Sequence, residues 1–160
     1  MATELTHIAN IFKANTDIVS KAVADVASED WFRKPGDDSN HLMWVMGHLV
    51  VHRGMTLKLL GGQWETPWAQ LFARGAERVA DHEYPSAEEL KTEWQKVSAD
   101  LVPAVRNASD DLLSKAVAAG SPSFDGKVSG NITLLAFHDA YHAGQIGYIR
   151  KWLGYGQTVG

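Results

Sequence analysis

The sequence predicts an all-α protein built as a four-helix bundle, and three observations predict it. Apolar residues recur at three- and four-residue steps along four long stretches. Two clusters of turn-forming residues, KPGDDSN at 34–40 and GSPSFDGKVSGN at 120–131, punctuate them. Alternating patterning of the β type is nowhere sustained, and no internal repeat or low-complexity segment breaks the chain.

Leu5, Ile8, Phe12, Val19, Val23 and Val26 share one helical face, so the first helix is expected over about 4–27. The last residues of KPGDDSN are expected to cap the second helix, over about 40–60, which Gly61-Gly62 stops. From there to Pro85 the chain reads as a long connection, with a short helical pattern around 71–79. Ser86 and Glu89 form a capping-box pair, and Leu90, Trp94, Val97, Leu101 and Val105 follow as a helical stripe that passes Pro103, giving a third helix over about 86–106. A turn of helix near 109–117 leads into the second turn-rich cluster, whose final Ser or Asn is expected to cap a fourth helix over about 131–153.

At 160 residues the chain fits one domain, 1–160, and a domain of this size buries roughly two-thirds of its unfolded surface. Apolar residues make up 45% and charged residues 21%, a globular rather than a disordered composition. A net charge of −4, with 15 Lys and Arg scattered rather than gathered, opposes a nucleic-acid surface. No run approaches the roughly 18 apolar residues of a membrane span, and the N-terminus lacks a signal pattern, so a cytoplasmic location is expected. The absence of cysteine excludes disulfides, thiolate ligands and a cysteine nucleophile, so any metal must rest on His, Asp or Glu.

Four of the seven histidines fall at ligand spacing on two helices. Residues four apart on a helix differ by only about 40° and project side by side. His138 and His142 are such a pair on the fourth helix; His48 and His52 are another on the second, with His41 two turns before His48 near the same face. Neutral imidazoles suit Zn, Ni, Cu and Fe. One histidine of the second helix is expected to complete the His138–His142 pair. Against this stands the plain fact that HxxxH arises easily by chance in helical sequence, and that isolated helical histidines commonly only pack or hydrogen-bond. His7 and His82 have no partner by spacing.

The strings NHLMWVMGHL at 40–49 and FHDAYHAGQIGYIRKWLG at 137–154 resemble the second- and fourth-helix motifs of the DinB-like superfamily of metalloenzymes. With the helix order and the long connection after the second helix, the resemblance spans nearly the whole chain. It implies a four-helix bundle of up-down-down-up topology with long crossover connections, and a metal held by His48, His138 and His142. It also implies metal-dependent transfer of low-molecular-weight thiols, related isomerisation, or hydrolysis. The family's name refers to DNA-damage induction and carries no implication of DNA binding. Related bundles pair through their helices, so a homodimer is a further expectation.

Three neutral histidines leave an ion its charge and an open position, the arrangement of a catalytic site. One divalent ion per chain is expected, Zn or Ni first and Mn or Fe next, acting on a small-molecule substrate through metal-bound water or thiolate. His52, Gln145, Asp139, Trp44 and Tyr141 are the expected pocket or supporting residues. Asp139 stands in HDAYH where the zincin motif HExxH has its glutamate, but it is one methylene shorter than a general base there would need to be; a solvated carboxylate or a partner to a histidine is the reading favoured. Arg53 and Arg150 belong either to solvated helix faces or to an anionic substrate. A metal-binding or stress-response bundle without catalysis, and an interaction bundle in which the histidines only pack, are the alternatives.

Overall fold

The computed structural model describes residues 2–73 and 75–158; Arg74, inside the stretch expected to be helical around 71–79, lies outside them. Among the described residues the chain forms five α-helices and no strand. The first, α1, covers Ala2–Val23. It ends three residues before the apolar pattern does, because Ala27 turns to extended backbone and opens a 3₁₀ turn at Ser28–Asp30. Val26 is buried all the same. The second helix, α2, covers Leu42–Leu59. Its N-cap is His41, not the end of KPGDDSN: the His41 Nδ1 accepts the Trp44 backbone N–H at 3.1 Å.

The helix α2 closes at Gly61-Gly62 as the sequence suggests, with φ of 87° at Gly61 and the Gly62 N–H on the Leu57 carbonyl at 2.9 Å. The connection to α3 holds two 3₁₀ turns, Ala69–Phe72 and Asp81–Glu83, and no α-helix over 71–79 among its described residues. Helix α3 covers Ala87–Arg106 behind the Ser86–Glu89 capping box. A single turn, α4, covers Asp110–Leu113 with Ser109 as its cap. Helix α5 covers Val128–Trp152 and starts three residues earlier than the turn residues suggested, behind Lys127 as an N-cap that makes no side-chain hydrogen bond. Asp125 organises that entry instead, accepting the Lys127 N–H at 2.9 Å and the Ser129 hydroxyl at 3.1 Å.

Helices α1 and α2 each pack against both α3 and α5. Phe12, Leu42, Met46, Leu49, Leu90, Trp94, Leu101 and Ile132 lie fully buried between them. Helix α2 is buried on nearly every side, since the 62–73 connection covers the face that the other helices leave open. Two glycines make that cover possible. A Cβ on Gly47 would stand 2.2 Å from the Phe72 ring, and one on Gly54 would stand 2.0 Å from the Trp64 ring. Trp64 is further held by its indole N–H on Glu93 of α3, at 2.8 Å.

One buried charge ties the four long helices together. Arg53 of α2 donates to both oxygens of Asp139 on α5, to Thr16 and the Phe12 carbonyl of α1, and to Ser98 of α3. These five contacts use all five guanidinium N–H groups. The plane also lies 3.7 Å from the centre of the Trp94 ring. Arg53 is therefore neither on a solvated face nor open to a substrate. Arg150 is buried likewise, donating to the Ala22 and Gly156 carbonyls and to Asp25.

Candidate metal centre

The site lies where α2 and α5 face each other beneath the Phe72 turn. His48 is directed by a local device: Phe72 lies flat on Gly47, and its carbonyl oxygen then sits 2.9 Å from the Nδ1 of His48. A carbonyl only accepts, so the hydrogen of His48 is on Nδ1 and Nε2 carries a bare lone pair. On α5, Gln145 Oε1 lies 2.7 Å from His142 Nδ1 and fixes the same tautomer there. Both bare Nε2 atoms face His138, whose Nε2 is 3.3 Å from that of His48 and 3.1 Å from that of His142.

This donor set fits a metal ion. A hydrogen on His138 Nε2 can serve only one of the two lone pairs that face it, whereas a cation between the three satisfies all of them. Nitrogens about 2.0–2.1 Å from a tetrahedral ion lie about 3.3 Å from one another, close to the two distances that His138 makes. His48, His138 and His142 each offer one ligand atom within 4.8 Å of the other two, with His48 and His142 buried and His138 half-buried. Burial also holds the imidazoles neutral, the form that ligates. It lowers His48 and His142 from the usual range and brings His138 down to about 4, helped there by the neighbouring histidines.

The remaining expected residues surround this centre in different ways. Trp44 stacks on the His48 ring at 4.6 Å, nearly parallel. Tyr141 stands edge-on to His142 at 5.1 Å, exposed, with its hydroxyl oxygen accepting from Gln145 Nε2 at 3.3 Å. His52 packs against His48 and His138, its ring centre 4.3 and 4.5 Å from theirs, and does not join the convergence of ligand atoms. Burial brings its pKa down to about 3. Asp139 gives both carboxylate oxygens to Arg53, so it is neither solvated nor free to act as a base. His41 caps α2 against Phe32 and Tyr84, away from the centre. The Phe72 carbonyl escaped sequence reasoning entirely; its one trace in the sequence is the glycine immediately before His48.

An all-helical protein with a buried inter-helical histidine cluster that could hold a metal ion is the class these features define. The sequence model of the DinB superfamily matches residues 11–146, and the chain belongs to that superfamily. No curated protein sequence matches it.

Proposed function

We propose that this chain is a metal-dependent enzyme acting on a small molecule, with one divalent ion held by His48, His138 and His142. The observation that carries the reading is the convergence of the three Nε2 atoms, two of them stripped to lone pairs by the Phe72 carbonyl and Gln145. Metal ligands are commonly oriented through their second ring nitrogen in this way. The bundle belongs to the same proposal, as one up-down-down-up domain. Its support is that Ser20 of α1 meets Trp94 and Gln95 early in α3 while Asn10 meets Arg106 at its end, and that His48 and Arg53 meet His142 and Asp139 in reverse order.

Bound there, a divalent ion supplies Lewis acidity that makes a thiol or water acidic near neutral pH. Thiol transfer is favoured over hydrolysis because Asp139, the acid set in the position of a zincin base, is spent on Arg53. A thiol nucleophile needs no such base once deprotonated. Trp44 and Tyr141 flank the histidines with aromatic surface that would exclude water from a bound substrate. A homodimer is part of the proposal, supported by the exposed row of Phe137, Tyr141, Tyr148 and Trp152 along one side of α5.

The test is metal content per chain in tag-free protein supplied with Zn, Ni, Mn and Fe, beside His48→Ala, His138→Ala and His142→Ala variants of retained helicity. Near one equivalent in wild type, lost in each variant, upholds the site; an empty wild type ends the reading. Metal-loaded protein that turns over no thiol with a panel of small electrophiles, and no ester or amide, favours the non-catalytic metal-binding alternative.

A further inference from the structure

His52 is the fourth imidazole of the cluster, one turn beyond His48 on α2. Its ring borders the His48–His138 edge, at 4.3 and 4.5 Å between ring centres, while His142 lies on the other side of that edge. Trp44 covers the opposite side of His48. Among the described residues, no group hydrogen-bonds to the His52 ring, although the ring is half-buried. The other three histidines differ: His48 and His142 are engaged through Nδ1, and His138 meets both through Nε2. The nearest cation in sequence, Arg53, has spent every N–H inside the core.

A half-buried ring whose N–H has no protein partner, set beside a site that would carry the full charge of a divalent ion, suits one kind of visitor. We propose that His52 is a ligand-binding residue for a small anion, or the anionic head of a larger molecule, that reaches the three-histidine site where His138 and His52 are only half-buried. One atom of the anion faces the histidine triad, and an acceptor on it takes the His52 N–H. His52 thus does the work that an arginine would do in a more exposed pocket. This rests on the metal-site reading above.

The probe is azide, titrated into Co(II)-loaded protein and followed by visible absorption, with cobalt per chain measured by elemental analysis and helicity by circular dichroism. Wild type, His52→Phe and His52→Gln are compared. Phenylalanine keeps the ring packing and removes the N–H; glutamine keeps a donor. All three are expected to hold one equivalent of cobalt, with azide binding roughly tenfold weaker in His52→Phe, the size of one lost hydrogen bond, and largely recovered in His52→Gln. Unchanged azide affinity in His52→Phe overturns the proposal. So does equal weakening in both variants, which would assign the effect to packing, and so does loss of cobalt from His52→Phe, which would make His52 a support of the ion itself. Cobalt-loaded wild type that gives no response to azide also overturns it. Wild type that takes up no cobalt overturns the metal reading first and this proposal with it.

Discussion

Arg53 and Asp139 form a two-pronged ion pair between α2 and α5, with Nε–Oδ1 at 3.1 Å and Nη2–Oδ2 at 2.6 Å, and their side chains are only 1% and 3% exposed. Asp139 directly follows His138 on α5, and Arg53 lies five residues beyond His48 on α2. The pair therefore sets the register in which α2 and α5, with their histidine pairs, meet. Removing one partner strands a buried charge, so Asp139→Leu is expected to cost about 3–5 kcal/mol in chemical denaturation. Arg53→Met/Asp139→Leu should lose less than Asp139→Leu alone. A double variant as unstable as the single one, or more so, would contradict this account.

Gln145 is expected to act on the centre through His142. Replacing it with leucine removes the acceptor of the His142 Nδ1–H while leaving the ligand in place. Metal affinity, read by competition with a chelator, should fall about 10- to 100-fold with helicity intact. Retained affinity would mean that His142 needs no such orientation.

Gly47 and Gly54 provide a paired contrast. Alanine at either position would drive a Cβ into an aromatic ring, Phe72 for Gly47 and Trp64 for Gly54. Each substitution should cost about 1–3 kcal/mol of stability. Only Gly47→Ala should also weaken metal binding, because Phe72 carries the carbonyl that orients His48. Equal metal affinity in the two variants would separate the Phe72 turn from the site.

His41 makes stability depend on pH. Burial first, with Arg78 and Lys34 adding to it, lowers its pKa from 6.5 to about 4, and its neutral Nδ1 is the cap of α2. The unfolded chain binds this proton first as pH falls. The contribution is thus whole above about 6.5 and is lost progressively down to about 4, a change of at most about 3 kcal/mol. His41→Asn keeps a capping acceptor and removes the titration. Denaturant midpoints measured between pH 7 and 4 should fall less steeply in the variant. The other buried histidines act in the same direction, so the difference in slope, not the slope itself, reads His41. Identical slopes would refute the assignment.

Local signals in the sequence carried much of the fold. The capping box Ser86–Glu89, the Gly61-Gly62 stop and the three- and four-residue apolar steps depend on interactions within a few residues, and they located α3 and the end of α2 closely. The start of α5 was less legible, because Asp125 organises it from outside the helix rather than a Ser or Asn at its first turn. The pairing of His138 with His142 likewise follows from helix geometry alone. Which histidine of α2 meets them does not, since His41, His48 and His52 all lie near one face; spacing leaves that choice open and only the family resemblance suggested His48.

By itself, then, the sequence determined an all-helical chain with two helices that each carry a histidine pair. Periodicity and capping are properties of neighbours along the chain. Only the tertiary structure decided that α5 meets His48, that the Phe72 carbonyl turns its lone pair inward, and that Asp139 and Arg53 neutralise each other in the core. Those outcomes depend on residues 24 to 90 positions apart brought together by packing. No local pattern records which side of a helix another helix will cover, and a charged residue reads the same in sequence whether it meets water or a buried partner.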